Sequence, residues 1–397
     1  MNILIVSELW WPEPEGGGTL AHYLVTKLLR DAGCKITIVH GARNPKTIRG
    51  VNFVYTNHLD MNYLKYKYGL WLHCILLSRE HWLQKLLQKA DIIYIPGRAY
   101  PLIPLAKRMG KKTIVHLHDY QPLSFNANIF NGSKKMKIND IVKLELLEHE
   151  DIVRAILSGI YAPVNILSRM WLSYADKIIC VSKRQAEIIS KFAPELASKI
   201  TVIYNPLPSF PPPRDKFFNP TFIYAGGGSY VKGFYIFLQL ALVLLKEHDV
   251  NFLLTGKYTP AQRKMLMKVS KVFTDRFKCL ASIPYENVLN IYSKSWAMIV
   301  PSIWEETFGY TVAEAMAMGT IPIASRIGGI PEIVEGTYAE KMLFTPGSIM
   351  ELSRRIESVL GLSKGQLRDI GIELREKVLK KFNKHVVKEK LLREFAG

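Results

Sequence analysis

The chain is poor in cysteine and has no apolar run long enough to cross a bilayer. Its four cysteines, Cys34, Cys74, Cys180 and Cys279, stand far apart in 397 residues, with no CxxC and no zinc-like spacing. That excludes a disulfide framework or a zinc module, and the four read as reduced thiols. The longest apolar run, Ile236 to Leu245, is interrupted by Gln239 and falls short of the ~18–20 residues a span requires. The opening MNILIVSE reads as a strand with a charge soon after it, not as a secretory leader. The expectation is a soluble, cytoplasmic protein.

Acidic residues are also scarce, 34 against 53 Lys and Arg, for a net charge of +19. The excess is not one basic tail. Residues 1–205 hold 27 basic and 16 acidic side chains, and the remainder holds 26 and 18. Such a balance suits nucleic acid, an anionic membrane face or phosphorylated ligands. No nucleic-acid motif is present, so only salt-sensitive, nonspecific association with nucleic acid is expected.

The length favours two domains, and the order of elements repeats accordingly. Met1 to Ser7 is an apolar run without alternation, as in a strand buried on both faces. A loop leads to Gly16-Gly17-Gly18, then to a helix with Thr19 as candidate N-cap, then to a strand at Lys35 to His40. Strand, glycine loop, helix, strand is the opening of a nucleotide-binding fold. Further strands are expected at 51–56, 91–95, 112–117, 177–182 and 199–204. Asn205 to Pro220 is rich in proline and reads as a linker. The grammar then restarts: a strand at Thr221 to Ala225, Gly226-Gly227-Gly228, and a helix following Lys232-Gly233. Later strands are expected at 250–255, 277–283, 296–300, 322–325 and 341–344.

In the first half, His116 and His118 share a strand face by alternation, with His118 at the carboxyl end where α/β sheets take ligands. The pair lacks further ligands nearby, so no metal site is expected. Residues 61–115 carry ten Lys or Arg against two acids. The part at 61–89 interleaves them with Tyr63, Tyr66, Tyr68, Trp71 and Trp82. That composition suits a surface helix lying against anionic lipid. Lys134, Lys135 and Lys137 form a second basic loop.

The most informative stretch is Pro301 to Pro322, PSIWEETFGYTVAEAMAMGTIP. An apolar strand precedes it, and a helix is expected from about Tyr310. A helix start offers unpaired N–H groups and the positive end of a dipole, and Gly309 permits close approach to the backbone. The N–H groups of Gly309, Tyr310 and Thr311 can therefore hold a phosphate. Glu306 and Glu314 flank that position, and carboxylates beside an anion suit hydroxyls on either side of it, a sugar and a ribose. Alone, two acids at this spacing would be a solvated face favouring a helix start. The repeated α/β grammar makes a ligand site the better reading.

These residues resemble the retaining glycosyltransferases of family 4, with the GT-B fold. The resemblance runs over nearly the whole chain. It rests on Gly16–Gly18, His118, Lys232-Gly233, the block from Glu306 to Gly319, and SRIGGIPEIV at 325–334. It implies an α/β architecture of two Rossmann-like domains facing across a cleft, with a C-terminal helix crossing back to the first. The boundaries would be 1–205 for acceptor binding, 206–380 for the nucleotide-sugar donor and 381–397 for the returning helix.

The resemblance also implies roles. His118 would approach the donor sugar, Lys232 would neutralise the departing phosphate, and Glu306 would hold sugar hydroxyls. Gly16, Gly17 and Gly18 would lie beside the donor diphosphate, Gly309 to Thr311 would bind phosphate and Glu314 the ribose. The family usually has an arginine where Gly227 stands, and Lys257 and Arg326 are the candidate substitutes. No D-x-D occurs in the chain, so no obligatory metal or other cofactor is expected. The implied partners are a nucleotide-diphosphate sugar, a glycan or lipid-linked acceptor, and an anionic membrane surface contacted through 61–89 at the inner face. The alternative is a nucleotide-sugar-binding protein with weak or no transfer.

Overall fold

The computed structural model describes residues 1–12, 16–64, 67–130, 132, 134–280 and 282–396. It forms two compact units, Met1–Pro206 with Phe382–Gly397, and Leu207–Lys381. The first unit holds β1 (Asn2–Ser7), β2 (Lys35–His40), β3 (Val51–Tyr55), β4 (Ile92–Ile95), β5 (Lys112–Leu117), β6 (Lys177–Cys180) and β7 (Ile200–Val202). They make one parallel sheet in the order β3-β2-β1-β4-β5-β6-β7. The second holds β8 (Thr221–Tyr224), β9 (Asn251–Thr255), β10 (Phe277–Leu280), β11 (Ala297–Val300), β12 (Ile321–Ser325) and β13 (Leu343–Phe344). Their parallel order is β10-β9-β8-β11-β12-β13. The helices include α1 (Gly17–Asp31), α2 (Lys67–Leu77), α3 (Ile138–His149), α4 (Ile152–Tyr161), α5 (Ile166–Leu172), α6 (Phe234–Glu247), α7 (Tyr310–Ala317) and α8 (Lys384–Ala396).

The continuous apolar strands have their physical reason in two separate cores. Leu4 and Val6 of β1 join Val39, Ile93, Ile95, Val115 and Leu117 on one face. Ile3 and Ile5 join Ile36, Ile38, Tyr94 and Ile114 on the other. Both faces of the sheet are covered, so alternation has no use. The second of these cores is closed by α8, whose Val387, Leu391 and Phe395 follow the i, i+4, i+8 spacing of one helix face. Phe395 meets the Tyr94 ring edge-on at 5.3 Å, and Lys112 Nζ donates to the Glu394 carbonyl at 2.7 Å. The C-terminal helix thus belongs to the first unit. Phe395→Ala is expected to cost about 3–5 kcal/mol of that unit's stability. A urea midpoint unchanged by the substitution would show that α8 is not part of its core.

Some boundaries differ from expectation. Helix α1 begins at Gly17, with Gly16 at its N-cap. Thr19 lies inside the first turn and donates its hydroxyl back to the Gly16 carbonyl at 3.0 Å. The strand expected over 277–283 stops at Leu280, and of 341–344 only Leu343–Phe344 is strand, because Tyr338–Met342 turns as a 3-10 helix. In the basic stretch 61–89, Lys65 and Tyr66 lie outside the described residues, as do the side chains of Tyr63, Lys67 and Tyr68. Trp71 is buried against Trp171, with ring centroids 5.2 Å apart.

Candidate functional site

Each strand order reverses direction once, between β1 and β4 in the first sheet and between β8 and β11 in the second. Ligand crevices of open α/β sheets form at the carboxyl ends of strands at such reversals. Gly16–Gly18 follow β1, Gly226–Gly228 and Lys232 follow β8, and Glu306 and Gly309 follow β11, while His118 follows β5, Lys257 β9 and Arg326 β12.

In the second unit, β11 runs into Ser302, Glu305, Glu306 and the Gly309 cap of α7. Gly309 has φ +106°, and a Cβ there would come within 3.1 Å of Ile330 Cγ1. Glu306 Oε1 accepts from Lys232 Nζ at 2.6 Å and from Ser302 Oγ at 2.7 Å. Oε2 of Glu306 has no partner among the described residues. Lys232 also lies over the Trp304 ring, 4.9 Å from its centroid. The neighbouring acid is used differently, since Glu305 Oε2 accepts the Gly328 N–H at 3.0 Å. The Gly329 N–H donates to the Glu306 carbonyl at 2.7 Å, so the SRIGG turn is laced to the acidic pair. Gly328 is needed for this approach, since a Cβ there would lie 2.1 Å from the Glu306 carbonyl oxygen.

Glu314 is buried one turn into α7 and accepts from Tyr285 Oη at 2.6 Å. Burial pushes its carboxyl up to about 7 from 4.5, and the Tyr285 hydrogen bond offsets only part of that. A carboxyl with a raised folded-state pKa favours folding fully below its unfolded value. That contribution is lost as pH rises through about 7. The expected result is a melting temperature that falls between pH 6 and 8 more steeply in the wild type than in Glu314→Gln. Equal slopes would mean that Glu314 does not titrate in this range.

The Gly226–Gly228 loop is fixed by its neighbours. Gly227 has φ +59°, and a Cβ on it would lie 2.8 Å from the Lys257 carbonyl oxygen. The Gly228 N–H donates to that same carbonyl at 2.9 Å. Gln262 Nε2 donates to the Gly228 carbonyl at 2.8 Å. The side chains of Lys257 and Arg326 are exposed, and neither makes a side-chain contact that joins it to Lys232 or Glu306.

In the first unit, a cavity of about 140 Å³ is lined by Glu8, Gly18, His22, Arg98, His118 and Asp119, among others. The His118 ring lies 4.4 Å from that of His116 and 4.8 Å from that of His22. Burial, then the neighbouring His116 and His22, hold His118 well below the ordinary imidazole range. At neutral pH it is an uncharged imidazole, suited to hydrogen-bonding a hydroxyl rather than pairing with an anion. Gly18 packs on it, a Cβ there falling 3.5 Å from His118 Cβ. No cluster of three or more metal-binding side chains occurs among the described residues.

Sequence reasoning missed the floor of this cavity. Asp119 Oδ2 accepts from Arg98 Nη2 at 2.5 Å and Nε at 3.1 Å. Glu8 Oε2 accepts the Arg98 backbone N–H at 2.8 Å. Burial raises the Glu8 carboxyl, with Arg98 opposing it. Gly97 makes the room, since a Cβ there would come 2.1 Å from Glu8 Oε2. The signal in the sequence was positional: Glu8 follows β1 directly, and Asp119 follows His118. Trp304 and Tyr285 were also missed, since each matters through a partner distant in the chain, Lys232 and Glu314, and Ser302 was missed although its partner Glu306 is four positions on.

The comparisons agree with this layout. Residues 14–208 match the family model described as Glycosyltransferase Family 4, and residues 215–377 match Glycosyl transferases group 1. One of the subunits of human phosphatidylinositol N-acetylglucosaminyltransferase is a curated relative. It is 24% identical over 341 residues, which cover 84% of this chain and 63% of that relative. Sucrose-phosphate synthase from Thermosynechococcus elongatus superposes with a TM-score of 0.76 at 17% identity, covering 100% of this chain and 98% of that one. Anabaena HepE in complex with UDP-glucose gives a TM-score of 0.69 at 17% identity, covering 100% and 99%. These likenesses establish the GT-B fold.

Proposed function

The chain belongs to glycosyltransferase family 4, and from that premise we propose that it moves a sugar, with retention, from a nucleotide-diphosphate sugar to an acceptor hydroxyl. The observation that carries this reading is the Lys232–Glu306 pair beside the Gly309 cap of α7. A cation, a carboxylate with one oxygen unused and a helix start together match a phosphate next to a polyhydroxyl group. Lys232 neutralises the departing phosphate, Glu306 Oε2 accepts from sugar hydroxyls, and the N–H groups at Gly309 to Thr311 take phosphate oxygens. Glu314 holds the ribose. In the first unit, neutral His118 is assigned to a sugar hydroxyl and Gly16–Gly18 to the diphosphate. The donor half is read as 206–380 and the acceptor half as 1–205.

Catalysis in this scheme is mainly electrostatic stabilisation of the leaving group. The acceptor is read as a glycan or a lipid-linked hydroxyl at an anionic membrane face. Anabaena HepE, whose structures hold UDP and UDP-glucose, supports a nucleotide-sugar donor by its shared fold. The direct test measures nucleotide release from UDP-, GDP- and ADP-sugars with EDTA present. Release from one donor class supports the reading and names the base. Binding without release, even with crude lipid acceptor, would favour a protein that holds nucleotide sugars without transferring them.

Gly227 bears on the same question. An arginine there would need a Cβ 2.8 Å from the Lys257 carbonyl at positive φ, which an L side chain adopts only with strain. Gly227→Arg is therefore expected to lower stability by roughly 1–3 kcal/mol and to leave turnover no higher than wild type. We assign the missing charge to Lys257, next to the loop. Lys257→Ala is expected to slow nucleotide release about tenfold or more, and an unchanged rate would remove Lys257 from the site.

A further inference from the structure

Helix α4 is packed with its large face outward. Its small residues Ala155, Ser158 and Gly159 are buried, and a Cβ on Gly159 would lie 2.6 Å from Val142 Cγ2 of α3. Ile152, Val153, Ile156 and Ile160 point to solvent, Ile152 and Ile160 each at 65% exposure. Burying small residues and exposing isoleucines inverts the usual arrangement of a surface helix. The exposure continues along the chain through Val164, Ile166 and Met170 to Tyr174. Trp171 of α5 packs on Trp71 of α2, and α2 exposes Leu72, Ile75 and Leu76. In the second unit, exposed large apolar residues are scattered singly, among them Phe218, Met267 and Met350. A concentration of this kind marks an interaction surface.

Charge and composition identify the occupant. A groove beside α4 and α5 is lined by apolar residues including Met136, Ile138 and Ile166, together with Lys134, Lys135 and Arg169. Apolar and basic side chains side by side match an amphiphile with an anionic head. The exposed residues are aliphatic, with Tyr161 and Tyr174 among them. Protein-binding hot spots favour Trp, Tyr and Arg and are poor in Leu and Val. A bilayer accepts a convex aliphatic helix without shape complementarity, and tyrosine suits its interface. No helix among the described residues is long and apolar enough to span a membrane, so the contact is one of lying on the surface.

We propose that the outward face of α4, continued by α5 and edged by Lys134 and Lys135, docks the protein on an anionic lipid bilayer. The proposal rests on the reading that the protein works at a membrane, and it names the surface. It shifts the contact away from the aromatic residues at 61–89, of which Trp71 is turned inward, and onto α4.

The test is flotation of the full chain with vesicles of phosphatidylcholine alone or mixed with phosphatidylglycerol, at low and high salt. The wild type is expected to float with the anionic vesicles, less so at high salt. Ile156→Asp with Ile160→Asp, both at exposed positions, should weaken partition by at least about tenfold, and Lys134→Glu with Lys135→Glu should reduce the salt-sensitive part. Undiminished flotation of the isoleucine variant would overturn the surface while leaving a membrane role standing. Failure of the wild type to float would overturn both. A wild type that is dimeric in solution, with a monomeric isoleucine variant and no flotation of either, would assign the face to a second copy of the chain. Nucleotide release from a soluble donor should match wild type in both variants, so the outcome is independent of the transferase test.

Discussion

Lys232→Ala is expected to lower the rate of nucleotide release by about 10²–10³-fold, the effect of removing one oxyanion donor from a preorganised site. The lysine is already held: its Nζ lies 2.6 Å from Glu306 Oε1 and 4.9 Å from the Trp304 ring centroid. A positioned cation needs no reorganisation when charge develops on the leaving phosphate, and that charge is larger in the transition state than in the bound donor. The loss should therefore fall on kcat more than on KM. Glycine at 227, where the family usually has an arginine, makes the site more dependent on Lys232. Single-turnover release separates chemistry from product dissociation. A decrease smaller than about tenfold would mean that Lys232 only shields Glu306 and does not face the phosphate.

The pattern that was legible in the sequence is the pattern that backbone physics writes locally. Apolar runs gave the strands because both faces of each sheet are covered. The helix expected from about Tyr310 is α7, which Gly309 precedes in the left-handed region. The candidate site was legible where a residue follows a strand end, as Glu306 and His118 do. What stayed hidden depends on partners far apart in the chain. Arg98 and Asp119 are paired across 21 positions, and Tyr285 reaches Glu314 across 29. The adjacent acids Glu305 and Glu306 looked alike, and only the folded SRIGG turn separates the loop tie of Glu305 from the candidate ligand group of Glu306. The inverted face of α4 was hidden for a different reason. Its sequence alternates small and large residues as a buried helix would, and nothing local states which side meets α3. The close approach at Gly159 decides it.

Glu306→Gln is the second large effect expected, a fall in nucleotide release of about 10²-fold or more with little change in melting temperature. Glutamine keeps the shape and can still accept from Ser302 Oγ, so packing is preserved. It removes the charge that holds Lys232, and with its amide oxygen kept toward Ser302 it puts an NH2 where the second carboxylate oxygen stood, so that position can no longer accept from sugar hydroxyls. Stability should change little because the Lys232 side chain is 36% exposed and water can solvate it once the partner is neutral. The two substitutions should not add. At 2.6 Å the side chains act as one unit, and such pairs lose most of their effect with the first removal. The double variant Lys232→Ala with Glu306→Gln is expected to release nucleotide at nearly the rate of the slower single variant. Multiplying losses would instead mean that the ion pair is broken when substrate binds, so that Lys232 and Glu306 act on the phosphate and the sugar independently of each other.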